Sequence, residues 1–178
     1  GMREKGVSRL MVALDVPTRK QALDLASATG DCASHFKVGG RLFTAEGPDL
    51  VREIKNAGNG VFLDLKFHDI PNTVARAVDS LSGLPISMLS LHTSGGSEMM
   101  RWALKAQAAG NPDLLLLGVT VLTSTNQAGL EETGVLAEPA SQVVRLAQLA
   151  IDAGLKGLVC SPLELSILRS RFGPGIAL

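Results

Sequence analysis

Apolar positions along this chain follow two alternating patterns, short unbroken runs and longer stretches in which they recur three or four residues apart. Leu10–Leu14 is the first short run and reads as a strand ending at Asp15. Pro17-Thr18 then opens a helix whose apolar side is Ala22, Leu25 and Ala26. Phe36–Val38 is a second strand, led in by His35, carrying Lys37 and followed by Gly39-Gly40. Pro48 suits the first turn of a helix that runs to about Ala57 and stops at Gly58. The third strand begins at Gly60, and Thr73 to about Leu81 has helical spacing at Val74, Ala77, Val78 and Leu81. Ile86–Leu91 is a strand, His92–Gly96 a loop, and Ser97–Ala109 a helix ending at Gly110. Leu114–Leu122 is the clearest strand by composition, and Thr123–Glu138 a long loop with one helical turn near Leu130. Pro139–Ala153 is a helix closed by Gly154, with Val143, Leu146, Ala147 and Ala150 on one side. Gly157–Cys160 is a sixth strand, Pro162–Phe172 a further helix, and Ile176–Leu178 opens a seventh strand.

Strand–helix alternation with nearly continuous apolar strands means a parallel sheet covered by helices. A doubly wound sheet and a (β/α)₈ barrel both satisfy it. No Gly-x-Gly-x-x-Gly turn follows the first strand, so a dinucleotide fold lacks its signature. Polar residues recur instead at strand C-terminal ends: Asp15, Lys37, Asp64, Lys66, His92, Thr123 and Ser124. Chemistry assembled from the ends of many strands is the barrel habit, and the barrel is the expected fold.

Composition narrows the function classes. The chain has 178 residues, 46% of them hydrophobic, enough for one sizeable core and one domain. Lys+Arg and Asp+Glu are both 17, which gives no electrostatic pull toward nucleic acid or membrane. Aromatics are 3% and tyrosine is absent, which argues against a stacking platform for single strands. Cys32 and Cys160 lie far apart in apolar contexts and read as free core thiols of a cytoplasmic protein. No apolar run reaches the ~20 residues of a membrane span, and the N-terminus lacks a signal peptide's apolar block. Gly1 ahead of Met2 reads as the remnant of a cleaved tag.

The third strand holds the chemistry. It continues as Gly60-Val-Phe-Leu-Asp64-Leu-Lys66-Phe-His-Asp69-Ile-Pro71-Asn-Thr73. Side chains alternate along a strand, so Asp64 and Lys66 point one way while Leu63, Leu65 and Phe67 point the other. Asp69 lies just past the strand end, and Pro71 stops the strand. Three charges thus converge at one end of a buried strand, which costs several kcal/mol per charge unless they are paired. A structural Asp64–Lys66 ion pair is the plain alternative; the second carboxylate and the strand-end position argue for function. An ammonium between two carboxylates stays protonated. Such a lysine is a proton donor.

The motif from Phe62 to Thr73 closely resembles the orotidine 5′-phosphate decarboxylase family. The resemblance extends along the chain through Val12-Ala-Leu-Asp15, Phe36-Lys37-Val-Gly39 and Val119-Thr-Val-Leu-Thr-Ser124. It implies decarboxylation of orotidine 5′-monophosphate to UMP, with no metal and no organic cofactor. It further implies that Lys66 protonates C6 of the pyrimidine as carbon dioxide leaves, and that Asp64 holds Lys66 beside the substrate carboxylate. Asp69 and Thr73 would reach into the partner's site in a homodimer, Asp69 completing a charge row with Lys37, Asp64 and Lys66. Asp15 and Lys37 would hold ribose hydroxyls, and Thr123 and Ser124 would lie near the base.

Two rivals stand beside this reading. One is a magnesium-dependent sugar-phosphate decarboxylase or lyase on the same scaffold. Those siblings carry a glutamate after strand two, where this chain has Lys37, a residue that repels magnesium. The other is an inactive barrel acting as a subunit. Barrels of this type run to about 250 residues and rarely below about 200. The given chain is therefore expected to lack strands seven and eight, with the phosphate grip that the family places after them. Among the remaining residues, Asp15 and Lys37 could form a simple ion pair, and His92 reads as structural.

Overall fold

The structure, a computed structural model, describes residues 10–178. Gly1, read as a tag remnant, lies outside the described residues. The elements are β1 (Met11–Ala13), α1 (Arg19–Thr29), β2 (His35–Gly39), α2 (Gly40–Glu46), α3 (Pro48–Asn56), β3 (Gly60–Phe67) and α4 (Pro71–Ser80). They continue with β4 (Met88–His92), α5 (Ser97–Gly110), β5 (Leu115–Val119), α6 (Gln127–Glu132), α7 (Pro139–Ala153), β6 (Gly157–Val159) and α8 (Pro162–Phe172). Neighbouring strands are hydrogen-bonded in chain order, β1-β2-β3-β4-β5-β6. The β1–β2, β2–β3 and β5–β6 pairs are parallel. This is the parallel α/β architecture that the alternation predicts.

By contacts the chain divides into two compact units. The first runs to Leu65 and takes in Ser82–Leu89; the second comprises Lys66–Leu81 and Ser90–Leu178. In the first, β2 and β3 pair in register, Phe36 with Val61 and Val38 with Leu63, and all four side chains are fully buried. Amphipathic α3 adds Leu50, Val51 and Ile54. It starts after Gly47 (φ 70°) with Pro48 at its first turn, and carries Asp49 at its N-terminus and Lys55 at its C-terminus, both favourable to the helix dipole. Gly60 lies opposite His35, and a Cβ at Gly60 would collide with the imidazole ring. In the second unit, α5 packs on α4 and on α7, and α7 on α8. α8 opens with a Ser161/Glu164 capping box, the Ser161 amide donating to Glu164 Oε2 at 3.1 Å.

Several boundaries differ from the pattern. α2 forms where the sequence suggests only a Gly39-Gly40 break; it caps with glycine and has no side-chain cap bond. α4 begins at Pro71, so Thr73 is inside its first turn. β4 is assigned from Met88, although the Ser87 amide already bonds Val61 O at 2.8 Å. The loop after β4 contains a 3₁₀ turn, Thr93–Gly95. β5 ends at Val119 rather than Leu122, and the apolar residues beyond it are part of the connection. The predicted opening of a seventh strand is present: Ala177 pairs parallel with Gly157, accepting from Leu158 N and donating to Lys156 O, both at 2.9 Å. Arg169 Nη1 fastens the preceding turn through the carbonyls of Gly173 (2.8 Å) and Ile176 (2.7 Å). One expectation is corrected outright. Cys32 is exposed and Cys160 half-buried, so neither is a core thiol.

Candidate active site

In the first unit the polar residues sit at strand C-terminal ends. Lys37 alternates with the buried Phe36 and Val38 and so emerges on the opposite face of β2. Register places Lys37 beside Phe62 and Gly39 beside Asp64. With no side chain on Gly39, the diagonal from Lys37 to Asp64 is open. Lys37 Nζ lies 3.4 Å from Asp64 Oδ2, and the two side chains are 37% and 8% exposed. Asp64 is the buried partner, and a carboxylate so placed requires a cation or donors around it. The Lys37 carbonyl accepts from Leu14 N at 2.9 Å, which ties the end of β1 to the same point. Asp15 follows directly and is exposed. The ion-pair partner of Lys37 is thus Asp64, not Asp15. His35, two residues before Lys37, has its pKa lowered by burial and, secondarily, by the charge of Lys55.

The second unit begins at Lys66, the last but one residue of β3. Lys66 has φ 49°, and it is the one non-glycine residue with positive φ among those described. Simple strand alternation therefore fails at this residue. The left-handed conformation costs a lysine roughly 1–3 kcal/mol, and such outliers concentrate at functional sites. Its amide donates to the hydroxyl of Ser90 at 3.0 Å, and Ser90 is fully buried in β4. Two residues on, His68 faces His92, the last residue of β4, with ring centroids 5.7 Å apart. Asp69 is exposed, and its Oδ1 accepts from Ile70 N at 2.6 Å. Ile70 is 64% exposed, and Asn72 and Thr73 are exposed on the first turn of α4. Thr123 and Ser124 are exposed within a turn closed by Thr125 N donating to Leu122 O at 2.9 Å. They stand beyond β5 rather than at its tip.

Three buried polar residues carry no role from sequence reasoning: Ser90 in the middle of β4, and Thr93 and Thr120 just past the ends of β4 and β5. Thr93 Oγ1 donates to Val119 O at 3.0 Å, and Gly118 leaves room for the Thr93 methyl, which a Cβ there would approach to 2.7 Å. Thr120 Oγ1 is buried without a hydrogen-bond partner. Ser90 had a visible signal, a lone hydroxyl inside the apolar run Met88-Leu-Ser-Leu-His92. No group of three or more His, Cys, Asp or Glu side chains suited to hold a metal ion occurs among the described residues. Among the described residues no helix is long and apolar enough to cross a membrane.

A relative from Opitutus terrae named orotidine 5′-phosphate decarboxylase is 53% identical over 169 residues, covering 95% of this chain and 74% of its own. The crystal structure of orotidine 5′-phosphate decarboxylase from Lactobacillus acidophilus superimposes with a TM-score of 0.85 at 35% identity, covering 94% of this chain and 77% of that one. An uncharacterized conserved protein from Geobacillus kaustophilus gives 0.88 at 36% identity, over 93% of this chain and 80% of its own. A family model matches residues 8–178, and the chain belongs to the orotidine 5′-phosphate decarboxylase / HUMPS family.

Proposed function

We propose that this chain is a carboxy-lyase that converts orotidine 5′-monophosphate to UMP without a cofactor, as a cytoplasmic homodimer built on a (β/α)₈ barrel domain. The observation that carries the reading is the C-terminal end of β3. There a buried aspartate in contact with Lys37 is followed, two residues on, by a lysine in strained backbone, in the motif Asp64-x-Lys66-x-x-Asp69. Family membership supplies the substrate class.

Loss of carbon dioxide from C6 leaves a vinyl carbanion with no electron sink in the ring. Stabilisation must then come from fixed charge that interacts more strongly in the transition state than in the ground state. Lys66 is assigned that role, delivering its proton to C6 as the carbon–carbon bond breaks. Asp64 holds the lysine and stands against the substrate carboxylate. Repulsion between these two carboxylates is the smaller contribution. One charge pair at ~4 Å with an effective dielectric near 20 is worth about 4 kcal/mol. Enzymes lower barriers by roughly 8–23 kcal/mol. Asp15 and Lys37 take ribose hydroxyls, and Thr123 and Ser124 take the base.

Asp69 and Thr73 act in the partner's site. Their exposure at the start of α4 supports this, as does an open groove of about 650 Å³ between α4 and α5. The groove carries Arg76, Asp79, Arg101 and the 43% exposed Trp102, a mixed surface suited to a second copy of the chain.

The magnesium-dependent alternative requires a metal-binding carboxylate where Lys37 stands. The deciding assay is carbon dioxide release from orotidine 5′-monophosphate before and after exhaustive chelation. Turnover that survives chelation is expected; loss on chelation with recovery on adding magnesium would move the chain to the metal-dependent class. No turnover under either condition would leave only a non-catalytic role.

A further inference from the structure

Ser90 is buried in an otherwise apolar strand, where a hydroxyl is unfavourable unless it is hydrogen-bonded. Its Oγ accepts the Lys66 amide at 3.0 Å, at the one described non-glycine residue with left-handed backbone. His92 lies two residues further along β4, on the same face by strand alternation, and its ring meets that of His68. Two alternate residues of β4 therefore hold two alternate residues, 66 and 68, at the end of β3. A lysine does not keep a left-handed conformation unaided; the surroundings must over-determine it.

We infer that Ser90 is a positioning residue for Lys66. Its hydroxyl fixes the peptide at Lys66 in the left-handed state, and the backbone angle sets the direction in which the Lys66 Cα–Cβ bond leaves the chain. Without that acceptor the strained peptide relaxes toward extended geometry, and the ammonium departs from the line of the proton it must deliver. The hydroxyl does not touch substrate and acts through the lysine. The inference rests on the reading of Lys66 as proton donor.

The test compares kcat and KM for orotidine 5′-monophosphate in Ser90→Cys, Ser90→Ala and Ser90→Thr, with Lys66→Ala as reference and thermal unfolding measured on each. Cysteine nearly matches serine in volume but is a weak acceptor, so Ser90→Cys carries the test even where Ser90→Ala folds poorly. Ser90→Cys and Ser90→Ala should lower kcat by about tenfold or more and leave KM within about threefold, while Ser90→Thr keeps most of the wild-type kcat. A purely structural serine would lower the unfolding temperature without that split. A folded Ser90→Cys with wild-type kcat beside an inactive Lys66→Ala overturns the positioning role alone. So does a loss that falls on KM, or one that threonine does not rescue. Normal turnover by Lys66→Ala overturns the donor reading and this inference with it.

Discussion

The ends of β2 and β3 each present a lysine, and the two are built in opposite ways. Lys37 sits in regular extended backbone between two fully buried apolar residues, and its side chain settles 3.4 Å from a carboxylate. Lys66 stands in left-handed backbone, with its amide taken by the side chain of a buried serine. At Lys37 the local structure is what the sheet prefers, and electrostatics alone place the charge. At Lys66 the backbone itself is held away from its preference. Strain of that kind persists only where neighbouring groups enforce it. The contrast is between a lysine placed by its side chain's charge and one whose backbone is held by a neighbour.

The most severe way to break the comparison is to remove each side chain. If Lys66 is the proton donor proposed above, Lys66→Ala should lower kcat by about 10³-fold or more, because the change would delete both that donor and the main cation beside the carbanion. If Lys37 holds the ribose as proposed, Lys37→Ala should lower kcat/KM by roughly 10²-fold, with much of the loss in KM. It should also lower stability by roughly 1 kcal/mol, since Asp64 loses a cation that is itself partly solvated. Steady-state kinetics and thermal unfolding on the same preparations check both. Equal kinetic signatures for the two variants would erase the distinction.

A second test asks whether the charge row is completed from another chain. Lys66→Ala and Asp69→Ala proteins, each inactive, are mixed and allowed to exchange subunits. Random pairing makes about half of the dimers mixed, each with one intact site, so about a quarter of wild-type activity should return. Verified exchange without recovery would place Asp69 in its own chain's site or outside the site altogether.

Much of this was legible in the residues. Apolar runs alternating with helical spacing suffice for the parallel α/β class, polar residues at strand ends for preferring the barrel, and the charges among them for singling out Asp64, Lys66 and Lys37. At β5 the boundary differs because the apolar run outlasts the strand. Val121 and Leu122 prolong the apolar run of β5 past Val119, yet the strand has already ended. Cys32, between Asp31 and Ala33 in sequence, is exposed in space, so residue type alone misplaced it in the core. α2 was invisible because it begins at a glycine and lacks a capping side chain, the two signals by which a helix start is recognised. The left-handed turn at Lys66 had no signal at all. Glycine or asparagine would have marked it, but a lysine there depends on Ser90, which lies 24 positions away in sequence.

The smallest effect is also the sharpest probe of that turn. Replacing alanine by glycine in a regular strand loses roughly 0.5–1 kcal/mol, because glycine gives up more conformational freedom on folding. In a left-handed position the balance reverses. Alanine carries the steric penalty of its Cβ against the carbonyl and glycine does not, a gain for glycine of about 1 kcal/mol. The two lysines should therefore respond with opposite signs. Lys37→Gly should be less stable than Lys37→Ala, and Lys66→Gly more stable than Lys66→Ala. Comparing glycine with alanine at each site cancels the loss of the lysine side chain itself, charge included, so the difference reports mainly on backbone. Denaturant unfolding of the four variants resolves differences of this size when the slopes agree. If glycine proves the worse residue at both positions, Lys66 is an ordinary strand residue in solution. The serine then has no strained peptide to hold.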